Sequence, residues 1–236
     1  MKKNKVITFP DKKEVSIEDR PIPRPEKGEV LIEIQYTLVS TGTELTTYSG
    51  DYPEGSYWDE DSDYPFDPGY NNIGIVTEVG DKTDETIVGR RVATYGPHEK
   101  YFTESRDDLR LVPDAVPSEQ AVFFTIAEIV MNGIRRSEAT WGEATVIFGL
   151  GLLGQLTVRL CYLAGLRPVI GLDKVESRIE LLPNEKLLRG FNVDMDRDLF
   201  QKTIELNHGR PFDLAFEVTG NPEAIPDQLS YLKDQG

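Results

Sequence analysis

The residues with the clearest chemical meaning lie between Thr145 and Asp173, TVIFGLGLLGQLTVRLCYLAGLRPVIGLD. An apolar run breaks into Gly149-x-Gly151-x-x-Gly154, a helical stretch follows, and a second apolar run is closed by an acid 19 residues past the last glycine. This is the pattern of a dinucleotide-binding βαβ unit. The first glycine permits the strand-to-helix turn, the second lets backbone N–H groups approach a pyrophosphate, and the third lets helix and strand pack closely. Leu152 and Leu153 would open the helix, with the positive end of its dipole toward the phosphates. Asp173 is expected to accept hydrogen bonds from the adenosine ribose hydroxyls and to repel a 2′-phosphate, which favours NAD over NADP. Lys174 and Arg178 would work the other way if either held a 2′-phosphate, or would cover the adenine face.

The elements that must position this turn change character along the chain. Residues 5–50 read as short strands between proline and glycine breaks: KVITF, EVSIED, PIPRPEKG, then EVLIEIQYTLVS. Residues 51–68 hold seven acids, no bases and five aromatics, the composition of a long surface loop. Strands resume with NIGIVTEVG, TIVGRRVATYG and KYFTES, and from Ser118 the period turns helical, with Ser118 as N-cap. The second half then alternates: TVIFG, a helix, RPVIGLD, a helix over ESRIELLPNEKLLRG interrupted by Pro183, FNVDM, the helix DLFQKTIELNHG, the strand DLAFEVTG, and a final helix PEAIPDQLSYLKDQG. The expected fold is α/β: a β-rich domain over residues 1–121, then a doubly wound parallel sheet over 122–236. Four parallel strands are accounted for, where a full fold of this type has about six, so the sheet reads as cut short at its C-terminal side.

Composition narrows the function classes. Hydrophobic residues make up 39% of 236, enough for ordinary globular cores. No segment has the pattern of a signal peptide or of a membrane-spanning helix, so a soluble cytoplasmic protein is expected. The net charge of −15 sits mainly in residues 1–121, with 14 bases against 25 acids. That balance argues against nucleic acid and against an anionic membrane surface as partners. The one cysteine, Cys161, falls mid-helix with Leu156, Leu160 and Leu163 and is expected to be buried and inert. His208, just before Gly209, is expected to face the last carbonyls of a helix.

The β-rich segment followed by the Gly-x-Gly-x-x-Gly domain, with PGYNNIGIVTEVG, VGRRVATYG and FEVTG, resembles the medium-chain dehydrogenase/reductase superfamily, whose zinc-type members include alcohol and sorbitol dehydrogenases. VSTGTEL, PGYNNIG and YGPHEKY are most similar to the branch containing bacteriochlorophyllide a dehydrogenase. The resemblance implies a GroES-like catalytic domain, a Rossmann domain in which Thr219 and Gly220 also meet the cofactor, and substrate with nicotinamide in the cleft between them. It also implies what is missing. Where zinc-type relatives show C-G-T-D this chain has Thr41-Gly42-Thr43-Glu44, and where they show G-H-E it has Gly69-Tyr70-Asn71. The third ligand position falls near Phe124 and Thr125, and one cysteine cannot form a four-cysteine zinc lobe. No zinc is therefore expected.

Without metal, the resemblance leaves Thr43 beside the substrate oxygen, with Tyr70 as a phenol donor and Glu44 orienting the turn. Each has a plain structural alternative: Thr43 and Glu44 as a hydrogen-bonded turn, Tyr70 as a ring filling the vacated metal pocket. His98 is read either as a donor or proton carrier in the cleft or as a loop histidine capping a strand. The leading reading is a zinc-independent, NAD(H)-dependent oxidoreductase acting on an alcohol, ketone or activated double bond of a small substrate that is not polyanionic. The alternative is a non-catalytic dinucleotide-binding or sensor protein, and a methyltransferase is a weaker third. Relatives dimerise through strands at the sheet edge beyond those found here, so a homodimer stays open.

Overall fold

The computed structural model describes residues 2–61 and 63–234, with side chains given for all of these except Glu60 and Asp61. It divides into two compact units, Met1–Thr125 and Ile126–Gly236, a division that falls four residues beyond the one expected at 121/122.

The first unit is built on β1 (Asn4–Thr8), β2 (Ser16–Arg20), β3 (Glu29–Thr37), β4 (Asn72–Val79), β5 (Arg91–Thr94), β6 (Tyr101–Ser105) and β7 (Arg110–Leu111). β1 and β2 pair antiparallel, and the other five form an antiparallel sheet in the order β6-β3-β4-β5-β7. Strand alternation sends Val30, Ile32 and Ile34 of β3 to one core with Val76, Ile87, Val92 and Leu109. Ile73 and Ala93 go to another core, with Val112 and Val122. Two short helices join the strands, α1 (Thr43–Ser49) and α2 (Tyr57–Asp61).

Within the acidic segment 51–68, expected as a loop, the described residues include the short helix α2 and several fixed contacts. Asp59 accepts a hydrogen bond from Gly55 N at 2.9 Å beside α2. Phe66 exchanges two backbone hydrogen bonds with Phe9, at 2.8 and 3.0 Å. Asp67 takes a bidentate grip from the Arg20 guanidinium. The first two satisfy backbone donors that an acidic loop would leave to water, and the third pairs a charge. The side chains of Glu60 and Asp61, and Ser62 entirely, lie outside the described residues.

The helix expected from Ser118 is two pieces, α3 (Ser118–Ala121) and α4 (Phe124–Arg136). Pro117 is the N-cap residue and Ser118 is the first helical one, its hydroxyl taking a hydrogen bond from Arg91 at 3.0 Å. The break lets Val122 enter the core with Ile73 while Phe123 and Phe124 pack on the same cluster, which one unbroken helical face would not do.

The second unit holds β8 (Thr145–Phe148), α5 (Leu152–Leu163), β9 (Val169–Asp173), α6 (Glu176–Ile179), β10 (Leu188–Asn192), α7 (Leu199–Leu206), β11 (Leu214–Glu217) and α8 (Ile225–Leu229). Its four strands are parallel, in the order β10-β9-β8-β11. Both sheet faces are covered, as parallel strands require. Val146, Phe148, Ile170 and Leu172 meet Ile204 and Phe212 on one side. Ile147 and Val169 meet Val158, Cys161 and Leu166 on the other. Cys161 is fully buried and its thiol is pushed up to about 12 by burial, although Leu163, expected on the same face, is exposed.

Two boundaries here differ from the sequence reading. The helix before β10 stops at Ile179 and the strand starts at Leu188, not Phe191, because Pro183 cannot continue a helix and Leu188 fills the core opposite Val169. The last expected helix is a 3₁₀ turn, Pro222–Ala224, followed by the short α8. The chain then turns so that Phe212 N bonds Tyr231 O at 2.8 Å and the Tyr231 ring packs on Phe148. Among the described residues no helix is long and apolar enough to cross a membrane.

Candidate active site

In the second unit, the glycine turn has a distinct task for each glycine. Gly149 adopts φ +92°, and a Cβ there would stand 2.9 Å from Val218 O. A Cβ on Gly154 would lie 1.8 Å from Gly149 O, so helix and turn approach each other only because this residue has none. A Cβ on Gly151, the N-cap residue of α5, would meet nothing within 4 Å. That open space adjoins the first-turn N–H groups of α5, among them those of Leu152 and Leu153, which have no intrahelical acceptor. An anion held there meets backbone donors and the positive helix end together.

Asp173 ends β9 and is 7% exposed. Its Oδ2 accepts from Leu150 N at 2.6 Å and its Oδ1 from Val175 N at 2.8 Å, and the Arg178 guanidinium lies at 3.3 Å. Burial pushes this carboxyl up, but the two backbone donors and Arg178 outweigh that and hold it below the usual carboxylate range. The ionised group has lone pairs beyond those three contacts, which ribose hydroxyls could fill. Arg178 is half-exposed and Lys174 exposed. Thr219 and Gly220 form the turn after β11: Gly220 takes φ +72°, and Thr219 N donates to Glu217 Oε1 at 2.5 Å.

In the first unit, Thr43 is the first residue of α1 and Tyr70 precedes β4. The Tyr70 hydroxyl donates to Thr43 Oγ1 at 3.2 Å. One bond between two hydroxyls uses one of their two protons, so the pair keeps the other for a third group, polarised by the bond already made. Thr125 Oγ1 donates to the Tyr70 carbonyl at 3.3 Å, while the Phe124 ring packs edge-on against Tyr95. Asn71 is fully buried, and neither of its amide atoms has a partner among the described residues.

His98, read from sequence either as a donor or proton carrier in the cleft or as a loop histidine capping a strand, lies in the loop before β6. It is 3% exposed, its Nε2 lies 2.7 Å from Glu44 Oε2, and its Nδ1 bonds Thr37 Oγ1. Gly69, at φ +120°, makes room for it, since a Cβ there would stand 2.6 Å from His98 N. Thr37 was not among the residues singled out from sequence. Only its pairing opposite Asn72 brings it to His98. His208 takes φ 56° past the end of α7 and bonds through its backbone N to Glu205 O at 3.1 Å.

An antiparallel unit carrying a hydroxyl pair, followed by a parallel sheet with a glycine turn after its first strand, is the arrangement expected of a two-domain dehydrogenase. Comparison with known proteins agrees. Residues 26–111 match the alcohol dehydrogenase GroES-like domain. L-threonine 3-dehydrogenase from Xanthomonas euvesicatoria pv. vesicatoria (strain 85-10) is 27% identical over 258 residues, an alignment covering 95% of this chain and 72% of the relative. The fold is shared with a short chain alcohol dehydrogenase from E. coli CFT073 complexed with NADH, at 19% identity and a TM-score of 0.79 over 99% of this chain and 74% of that one. It is also shared with a Sinorhizobium meliloti 1021 dehydrogenase bound to NADP, at 19% identity and a TM-score of 0.82 over 100% of this chain and 75% of that one. The matched domain and the relatives support the medium-chain dehydrogenase/reductase superfamily and an alcohol dehydrogenase-like oxidoreductase for this chain.

Proposed function

We propose that this protein is an NAD(H)-dependent, zinc-independent oxidoreductase that interconverts an alcohol and a ketone, or reduces an activated double bond, in a small organic substrate. The observation that carries this reading is the Tyr70-to-Thr43 hydrogen bond, which leaves one polarised hydroxyl proton for a substrate oxygen. When bound, a nicotinamide supplies or takes the hydride. The chain's own work is to hold the phosphates at the α5 N-terminus, to hold the ribose at Asp173, and to meet charge on the substrate oxygen with the hydroxyl proton that the Thr43–Tyr70 pair leaves free. The test is oxidation of NADH across a panel of ketones, aldehydes and enones. No turnover with any of them would defeat it.

The donor set does not fit a zinc ion. Tyr70 and Thr125, at positions that relatives give to ligands, spend their hydroxyls on Thr43 and on the Tyr70 carbonyl, and Phe124 has no donor atom. Among the described residues no group of three or more His, Cys, Asp or Glu side chains converges. Elemental analysis after gel filtration in chelator-free buffer should find far less than one zinc per chain. A stoichiometric, tightly held zinc would overturn the assignment.

NADH should bind more tightly than NADPH, because a 2′-phosphate would meet the ionised Asp173, a cost on the order of 1–3 kcal/mol in a partly buried site. Calorimetric titration reads the gap, and Asp173→Ser should narrow it. The same change should also weaken NADH binding, since it releases Leu150 N and Val175 N beside the turn. Equal affinities in the parent protein would mean that Arg178 or Lys174 decides instead. The carboxylates of residues 51–67 extend the proposal to substrates without phosphate groups.

A further inference from the structure

We infer that Thr37, His98 and Glu44 form a positioning relay that fixes the Thr43 hydroxyl from the five-stranded sheet, a role that rests on Thr43 being the group that meets the substrate oxygen. α1 is only seven residues long, and its N-cap, Gly42, has no side chain with which to cap it. Thr43, the first residue, would therefore sit where a helix frays. What prevents this is a closed pair around it. Glu44 N donates to Ser40 O at 2.9 Å, and Ser40 N donates to Glu44 Oε1 at 2.7 Å, so residues 40–44 are clasped from both sides with Thr43 inside.

The clasp depends on a buried carboxylate, 5% exposed, whose second oxygen is held by His98 Nε2 at 2.7 Å. A buried carboxylate is tolerable only when its oxygens are hydrogen-bonded, and among the described residues the Ser40 amide and the imidazole bond to it. His98 in turn is held on every side. Its N donates to Pro68 O at 2.7 Å, its O accepts from Ile7 N at 2.9 Å, and its Nδ1 meets the Thr37 hydroxyl at the end of β3. Asn72, paired opposite Thr37, pins the preceding loop by donating to Gly96 O at 2.6 Å and Pro97 O at 2.9 Å. With both ring nitrogens engaged and the ring buried, His98 has no atom left for a substrate oxygen. It acts through Glu44. Thr37 is exposed in the wall of a cavity of about 280 Å³, so replacing it leaves no void in a core.

The experiment is Thr37→Val in the full chain, with Thr37→Ser as the conservative control, read by turnover and by the Ser40 amide in NMR. The expected result is a fall in kcat of between roughly 10- and 100-fold with NADH affinity unchanged, since a small misplacement of a reacting group costs that much. The Ser40 amide signal should move and its hydrogen exchange should quicken, and Thr37→Ser should restore both. An unmoved Ser40 amide in folded Thr37→Val protein overturns the relay, whatever kcat does. A moved amide with unchanged kcat leaves the relay standing and removes Thr43 from the chemistry instead. Should Thr37→Val fail to fold, His98→Gln is read by the same two measurements.

Discussion

Thr43→Val is expected to lower turnover by ~10²–10³ while NADH binds as before. Valine keeps the shape of the side chain and removes only the hydroxyl. The Tyr70 phenol then loses its acceptor at Thr43, and a substrate oxygen loses the one proton that the pair leaves free. Where no metal polarises that oxygen, charge developing on it must be met by such donors, and removing a preorganised donor costs transition-state stabilisation more than ground-state affinity. The nucleotide turn belongs to the other unit and shares no residue with this pair, so calorimetric NADH affinity should not move. Tyr70→Phe should cost less, because Thr43 would still donate. Unchanged turnover in a folded, NADH-binding Thr43→Val protein would sink the assignment.

How far the sequence could lead toward this site depends on how local each contact is. The glycine turn was legible because its geometry lies within one βαβ unit: Gly149 needs its positive φ and Gly154 its missing Cβ for reasons that a stretch of six residues already contains. Asp173, at the end of the next strand, follows from the same unit, though its grip on Leu150 N and Val175 N does not. The pairing of Thr43 with Tyr70 spans 27 residues, and only the family resemblance brought the two together. His98 and Glu44 are 54 residues apart and Thr37 and His98 are 61 apart, with no periodicity to join them. Their meeting is fixed by the pairing of β3 with β4 and by the loop before β6, which are tertiary facts. The same holds for the helix broken between α3 and α4. A periodic pattern said helix, and the demand of one core for both Val122 and Phe124 decided where it stops.

Gly154→Ala should be the most damaging single-methyl change in the second unit. The added carbon would stand 1.8 Å from the carbonyl oxygen of Gly149, a backbone atom that cannot swing aside as a flexible side chain would. Relief requires α5 to slide away from β8 or the turn to open, and overpacking of this kind costs typically about 1–3 kcal/mol. Either movement also displaces the α5 N-terminus from the position in which its N–H groups converge, so nucleotide affinity should fall along with stability. Gly151→Ala is the instructive partner. Its Cβ would meet no protein atom within 4 Å and φ there is −67°, so the folded protein should tolerate it. The new methyl would project into the space assigned to the pyrophosphate, so it should weaken NADH binding with little change in thermal midpoint. Thermal denaturation and NADH titration of the two variants together separate the roles. If Gly151→Ala lowered stability as much as Gly154→Ala and left NADH affinity intact, the open space beside α5 would not be the phosphate site.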